Sequence, residues 1–113
     1  MNQQPTFSII TITYNAERWL ERTILSVLSQ SYPNIEYILI DGASKDKTVE
    51  IIKQYESGIS SWISEPDKGL YDAMNKGIRQ ASGKLIGIVN SDDWYEKDTI
   101  ENVVKAYQGN QYE

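Results

Sequence analysis

Residues 85–95 read LIGIVNSDDWY, an apolar run followed, after Asn90 and Ser91, by two adjacent carboxylates. A short apolar run of this kind is typical of a strand that is buried on both faces, as in a parallel sheet. Asp92 and Asp93 therefore stand where that strand leaves the core. Either the two carboxylates are solvated residues of a turn, or they bind something positive.

The remaining sequence repeats the same alternation of apolar strands and amphipathic helices. Strands are predicted over 6–13, 35–40, 58–65 and 83–90, and a helical pattern follows each of them. This β-α-β-α-β-α-β-α order implies right-handed crossovers and a mostly parallel sheet. We therefore expect a single α/β domain over residues 1–113, with a three-layer α/β/α arrangement around a sheet of four strands.

Polar residues predict where three of the four helices begin. Asn15 is placed to cap the first helix and Asp46 the second, and Asp98 with Glu101 forms a variant capping box for the last. The third helix is predicted over 71–81. Apolar stripes at helical spacing support the first and last helices. These stripes are Leu20, Ile24, Val27 and Leu28 in the first helix, and Ile100, Val103, Val104 and Tyr107 in the last.

The composition excludes several classes of function. The net charge of −5 disfavours nonspecific attraction to nucleic acid, so no nucleic-acid partner is expected. The chain has no cysteine and no histidine, which removes disulfides, thiolate zinc sites and a histidine general base. Carboxylates are therefore the natural ligands for a hard cation such as Mg²⁺ or Mn²⁺.

No apolar run approaches the roughly 20 residues that span a bilayer, and no signal peptide is visible. The sequence predicts a soluble, cytoplasmic chain, with peripheral attachment to the inner membrane left open for a full-length protein. An uncovered hydrophobic sheet edge would favour self-association, so a homo-oligomer is left open as well.

In open parallel sheets, ligands bind in the crevice beyond the carboxyl ends of the strands. Asp41 follows the second strand, and its carboxylate is placed to accept a hydrogen bond from a nucleobase imide or a ribose hydroxyl. Tyr14, after the first strand, can lie against a base or pack at the core edge. Asp67 is interpreted as a solvated charge of the third loop. Trp94 either contacts a sugar face or anchors its loop.

The ordered set of strand-end motifs resembles the family-2 glycosyltransferases, inverting enzymes with the GT-A fold. The resemblance runs from about Phe7 to Asp98. It rests on the strand-Tyr-Asn opening, on the Asp-Gly-x-Ser-x-Asp-x-Thr loop DGASKDKT at 41–48 and on the Ser-Asp-Asp end at 91–93. One departure is Met74, which precedes Asn75 where the family often has arginine.

The resemblance implies a site for a nucleotide-diphosphate-sugar donor, most often a UDP-sugar, and an acceptor that is a saccharide or lipid-linked. It implies that Asp41 binds the base, that Asp92 contacts ribose or sugar, and that Asp93 coordinates Mg²⁺ or Mn²⁺. The implied donor-binding residues are Thr11, Thr13, Tyr14, Asn15, Asp41, Ser44 and Asp92. The implied role is cell-surface or capsular polysaccharide synthesis.

In the family, the general base is a carboxylate well downstream of the Ser-Asp-Asp motif. We therefore expect the base beyond Glu113, rather than at Glu96 or Asp98. The 113 residues are then a truncated, donor-binding part that lacks the acceptor-binding half and is inactive alone. Two alternatives are a non-catalytic domain that binds nucleotide and metal, and a receiver-like signalling domain. The latter is disfavoured because receivers carry their acidic pair after the first strand.

Overall fold

Four strands alternate with four α-helices along residues 4–109, the part of the chain that the structure, a computed structural model, describes. The elements are β1 (Phe7–Thr13), α1 (Leu20–Leu28), β2 (Ile35–Asp41), α2 (Thr48–Gln54), β3 (Ser61–Ser64), α3 (Leu70–Gln80), β4 (Leu85–Ile88) and α4 (Thr99–Gly109). A short 3₁₀ turn over Glu56–Gly58 precedes β3. The third strand is shorter than the predicted 58–65: the turn includes Gly58, and the strand runs only from Ser61 to Ser64. No described helix is long and apolar enough to cross a bilayer.

The sheet confirms the predicted parallel arrangement. Its strand order is β3-β2-β1-β4, and all three neighbouring pairs are parallel. In the observed register Thr13 lies beside Asp41, and Asp41 lies beside Ser64. All the strands thus end at one edge of the sheet. The order in which strands are added reverses between β1 and β4, and such folds form their ligand crevice at a reversal of this kind.

Helices cover both faces of the sheet, so the predicted three layers are present. On one face α1, α2 and α4 pack against β1 and β2 around Ile24, Ile52 and Ile100. On the other face α3 packs through Ala73 against a smaller cluster that includes Ile38. Each fully buried aliphatic side chain of this size stabilises the fold by about 1.5–3 kcal/mol.

The first helix begins later than predicted. It starts at Leu20, after a turn in which Leu20 N–H donates to the carbonyl of Ala16. Asn15 is not its cap, because Asn15 has a left-handed backbone with φ of 49°. Its side-chain oxygen instead accepts a hydrogen bond from Lys45 N–H, 30 residues away. The prediction failed because the Asn15 side chain makes this long-range hydrogen bond instead of capping the helix that follows it.

The capping box predicted for the last helix is also wrong. The helix begins at Thr99, directly after Asp98 as expected, but Glu101 accepts a hydrogen bond from Ser31 and pairs with Lys105 instead of reaching back. Gln30 supplies the capping acceptor, since its side-chain oxygen binds Ile100 N–H at 3.0 Å. The stripes are narrower than predicted as well. Leu28 and Val103 are 39% and 45% exposed, although Val27 and Val104 beside them are buried.

Candidate functional site

The Asp41 carboxylate lies at the end of β2 and is completely buried. Its Oδ1 accepts hydrogen bonds from the hydroxyls of Thr13 at 2.6 Å and Ser44 at 2.5 Å. Its Oδ2 accepts from Ser44 N–H at 2.9 Å and from the Ser64 hydroxyl at 2.7 Å. The carboxylate therefore joins the ends of β1, β2 and β3. Its four hydrogen bonds use all the lone-pair positions that a carboxylate offers.

This geometry brings three predicted residues, Thr13, Asp41 and Ser44, into one cluster. It also adds Ser64, which the sequence did not single out. The base contact predicted for Asp41 remains a prediction. For that contact to form, the hydroxyl of Ser44 or Ser64 must first give up its place on the carboxylate.

Thr11 lies deeper in the sheet than a donor contact would require. It is fully buried, and its hydroxyl is 2.8 Å from the hydroxyl of Tyr37. Burial raises the pKa of Tyr37 well above its ordinary value, although the hydrogen bond with Thr11 acts in the opposite direction. The observed role of Thr11 is to pair this buried phenol. Its predicted donor contact remains untested.

Two loops of the site are tied together by backbone hydrogen bonds to side chains. Asn15 N–H donates to the Ser44 hydroxyl at 2.8 Å, and Ala16 N–H donates to the Thr48 hydroxyl at 2.7 Å. Asn15 and Ala43 both have left-handed backbones, with φ of 49° and 62°. The residues that follow β1 and β2 are thus one hydrogen-bonded unit.

Asp46 supports the same unit and holds the start of α2. Its Oδ1 accepts from Thr48 N–H at 2.9 Å, as the predicted helix-start role requires, and its Oδ2 accepts from Glu17 N–H at 3.2 Å. Desolvation by burial would raise the pKa of the Asp46 carboxyl. The hydrogen bonds from Thr48 and Glu17 outweigh it, so this pKa lies below its usual range.

The loop after β4 is anchored to α1 through its backbone. The buried Thr23 hydroxyl lies within hydrogen-bond distance of two carbonyl oxygens, at 2.9 Å from that of Ser91 and closer still to that of Asp93. Arg22 donates to the Asp92 carbonyl at 3.4 Å, and Tyr95 N–H donates to the Ser26 hydroxyl at 3.1 Å. With its carbonyls held by α1, the loop keeps its carboxylates free.

Both carboxylates of this loop are exposed to solvent. Within residues 4–109, neither the Asp92 nor the Asp93 side chain has a hydrogen bond or ion pair, and no group of three acidic residues forms a ready metal cage. Tyr95 anchors the loop by packing against the core, and burial, aided by the Asp93 charge, raises the pKa of Tyr95. Trp94 is 47% exposed beneath the Arg22 guanidinium, 5.7 Å from its ring centre.

A crevice of about 330 Å³ opens between the end of β1 and the start of α3. It is lined by Ile12, Thr13, Tyr14, Asp67, Gly69, Leu70 and Ala73. Tyr14 is 61% exposed there, so it is not a core residue. Asp67 lines this crevice, although its sequence context indicated only a solvated residue of a turn. The missing signal is spatial, because β3 and α3 must be in place before residue 67 can face residue 14.

The match to a family model agrees with this architecture. Residues 8–113 match the model described as Glycosyl transferase family 2. The chain belongs to that family. It is 44% identical over 111 residues to an uncharacterized glycosyltransferase of Mycobacterium tuberculosis, covering 96% of this chain and 42% of the relative. It is also 39% identical over 103 residues to the putative teichuronic acid biosynthesis glycosyltransferase TuaG of Bacillus subtilis, covering 88% of this chain and 41% of TuaG.

Solved glycosyltransferase structures share the fold. The S. aureus protein TarS in complex with UDP-GlcNAc superposes with a TM-score of 0.86 at 25% identity, covering 94% of this chain and 32% of that one. The mannosyltransferase PcManGT of Pyrobaculum calidifontis, in complex with GDP-Man and Mn²⁺, superposes with a TM-score of 0.86 at 26% identity, covering 93% and 33%. The expected GT-A fold is thereby confirmed, and the receiver-like alternative is wrong. The chain spans about two fifths of the length of the curated relatives named here.

Proposed function

We propose that this chain forms the donor-binding part of an inverting glycosyltransferase that uses a nucleotide-diphosphate sugar and a divalent cation. The observation that carries the proposal is the loop after β4. Its backbone is fixed on α1 by Thr23, while the carboxylates of Asp92 and Asp93 stay exposed and unpaired within the described residues. Free carboxylates on a fixed backbone at a sheet's carboxyl edge suit a charged ligand.

The donor would lie along this carboxyl edge. Tyr14 is exposed in the crevice wall and offers an aromatic face to the base. Hydrogen bonds of Asn15 and Ser44 hold the loops after β1 and β2 together. Thr11 and Thr13 belong to β1, which leads into the first of these loops. Asp92 would contact ribose or sugar. Support comes from two structural neighbours, which are in complex with UDP-GlcNAc and with GDP-Man.

The residues present fit a Mg²⁺ or Mn²⁺ ion that is shared with the donor. Mg²⁺ usually takes one or two carboxylates, keeps several waters and takes phosphate oxygens from the substrate. Asp93, with Asp92 beside it, supplies such a partial set, and the acidic protein needs a cation to receive a diphosphate. When bound, the ion would neutralise the diphosphate and the charge that develops on the leaving nucleoside diphosphate.

The proposed reaction is a direct displacement at the anomeric carbon. The acceptor hydroxyl oxygen forms the new glycosidic bond and its proton passes to a general base. The bond between the anomeric carbon and the diphosphate breaks, the nucleoside diphosphate leaves, and the configuration inverts. The chain's own part is to hold the diphosphate in line and to orient the sugar, and such positioning supplies much of the rate in group transfer. We assign no residue of this chain as the general base.

We place the complete protein in cytoplasmic synthesis of a surface polysaccharide. The relative TuaG, a putative teichuronic acid biosynthesis glycosyltransferase, supports this context. The second candidate, a non-catalytic domain for nucleotide and metal, makes the same binding predictions for this chain. Turnover by the full-length protein separates the two.

Calorimetric titration with UDP and GDP tests the proposal. The chain should bind at least one of them in Mn²⁺ and lose most of that affinity in EDTA. Asp93→Asn should abolish the metal dependence. Asp98→Asn is the matched control, because it removes an exposed carboxylate close by without touching the motif, and it should bind as wild type. Failure to bind either nucleotide, or equal losses in the two variants, would refute the donor-site proposal.

A further inference from the structure

The loop that follows β3, residues 65–69, forms one wall of the crevice between β1 and α3. Of the residues that the structure describes, seven line this crevice, and Asp67, Gly69 and Leu70 among them come from this loop and the start of α3. β3 is an edge strand of the four-stranded sheet that the structure describes, so a neighbouring strand supports the loop on one side only. Side-chain contacts must therefore hold the loop in place.

Lys76 of α3 makes the largest set of these contacts. Its side chain is only 14% exposed, and its ammonium donates a hydrogen bond to the Pro66 carbonyl at 3.0 Å. The ammonium also forms ion pairs with Glu65 at 3.5 Å and with Asp72 at 3.7 Å. A lysine ammonium has three N–H donors, and three acceptors surround it here. Lys76 therefore joins the beginning of the loop to the first turn of α3.

The rest of the loop is held between α3 and the loop after β2. Asp72 Oδ2 also accepts Lys68 N–H at 2.9 Å, and Asp67 Oδ1 accepts Gly69 N–H at 3.1 Å. On the other side, a methyl group added at Gly42 would lie 2.7 Å from Asp67 Oδ2, so the Asp67 carboxylate packs directly against the backbone of Gly42. A shift of the loop away from α3 would therefore change the wall of the crevice.

We propose that Lys76 is a positioning residue for the donor, although it does not itself line the crevice. Its charge keeps the loop after β3 in the conformation that admits the ligand. The inference rests on the proposed donor-binding function. Without the ammonium, Glu65 and Pro66 lose their connection to α3, and the loop populates other conformations. The apparent affinity then falls in proportion to the fraction of molecules that keep the competent conformation.

Lys76→Met tests this role because it removes the charge and keeps an unbranched stem that can pack. The side chains of Glu65 and Asp72 are 55% and 32% exposed, so water can solvate their carboxylates once the ammonium is gone. The variant leaves no fully buried charge unpaired and should fold. Lys76→Arg keeps the charge and is the rescue variant. Lys105→Met is the matched control, because it removes another i, i+4 ion pair, with Glu101, on α4 rather than at the crevice.

The experiment pairs calorimetric titration of the 113-residue chain, with UDP and GDP in Mn²⁺, with NMR measurement of amide exchange with water. Lys76→Met should bind the tighter of the two nucleotides about fivefold more weakly than wild type, which corresponds to a competent fraction of about one fifth. Its Lys68 and Gly69 amides should exchange faster, while the amides of β1 stay as in wild type. Lys76→Arg should recover most of the affinity, and Lys105→Met should match wild type in both measurements.

The positioning role and the donor site can fail separately. Faster loop exchange with unchanged affinity would overturn the positioning role, because Lys76 would then support the loop without affecting the ligand. Lower affinity with unchanged loop exchange would also overturn it, because Lys76 would then act on the ligand through its charge alone. Both outcomes leave the donor site standing, whereas a wild type that binds neither nucleotide overturns both proposals. If Lys76→Met does not fold, Lys76→Gln, which keeps a donor for the Pro66 carbonyl, provides the same comparison.

Discussion

Asp41 and Asp93 both lie at the carboxyl edge of the sheet, yet the protein surrounds their charges in opposite ways. Asp41 is fully buried, and four hydrogen bonds from its own chain surround the carboxylate. At Asp93 the backbone carbonyl is bound by Thr23 while the side chain is exposed. A carboxylate whose acceptors are used internally fixes loops, whereas one fixed through its backbone keeps its charge for a ligand.

Asp41→Ala should break this comparison most severely. The change leaves the buried Thr13 hydroxyl, together with the donors of Ser44 and Ser64, without their acceptor, and we expect a loss of about 3 kcal/mol or more of unfolding free energy. Urea denaturation followed by circular dichroism measures it. Ser64→Ala removes a single one of the bonds and should lose only about 1 kcal/mol. Similar losses in the two variants would mean that the carboxylate is not a shared acceptor.

Asp93→Ala should have the converse effect. Since its side chain has no partner within the described residues, we expect stability to change by less than about 0.5 kcal/mol. We expect affinity for nucleoside diphosphate in Mn²⁺ to fall by about tenfold or more, equivalent to about 1.4 kcal/mol. Urea denaturation and calorimetry on the same samples check both values. A large loss of stability would place Asp93 in the same structural class as Asp41.

Thr23→Val tests whether the anchor matters to the free charges. Valine keeps the shape of the buried side chain but cannot donate to the carbonyls of Ser91 and Asp93, so we expect a loss of about 1–2 kcal/mol in stability. Metal-dependent affinity for nucleoside diphosphate should fall too. Ser26→Ala, which removes the acceptor for Tyr95 N–H, weakens a second anchor of the same loop and should change both values in the same direction. Unchanged metal-dependent affinity in Thr23→Val would contradict a role for this anchor in ligand binding.

The smallest expected effect is that of acid on Asp46, in the loop after β2. The pKa of Asp46 is lowered, since its hydrogen bonds outweigh desolvation, so its contribution to stability is present above its unfolded pKa of about 3.9. That contribution is lost as pH falls through the lower folded value. Unfolding free energy measured from pH 6 to pH 2 should decline less steeply in Asp46→Asn. Parallel curves for the two proteins would remove Asp46 from the acid response.

The layered fold could be predicted because periodicity is local. Runs of β-branched residues, and helical stripes such as Leu20, Ile24 and Val27, occur within a few residues of one another, and burial confirms them. The width of a stripe is not local, since the neighbouring elements decide it. Leu28 and Val103 were therefore placed in stripes and are exposed.

The site could be predicted only as a set of loops. The strand-end residues lie at one edge, as parallel order requires, but their partners lie far along the chain. Thr23 meets Ser91 across 68 residues, and Ser64 meets Asp41 across 23. No spacing rule encodes such pairs. The same limit misplaced Asn15, whose side chain serves a residue 30 positions away rather than the helix that follows it.

Helix α1 lies between the loop after β2 and the loop after β4, so its length sets how far apart their anchor points are. Before the helix, Ala16 N–H is hydrogen-bonded to Thr48. Within the helix, Thr23 and Ser26 hold residues 91–95. After the helix, the Gln30 side chain binds both the Glu96 carbonyl and Ile100 N–H. Each residue advances a helix by about 1.5 Å and turns it by about 100°. A single deletion within α1 would therefore swing the far anchors away from the acidic loop while leaving the near ones in place. The length and register of the helix therefore fix the relative position of the two loops, even though none of its residues is proposed to touch the donor.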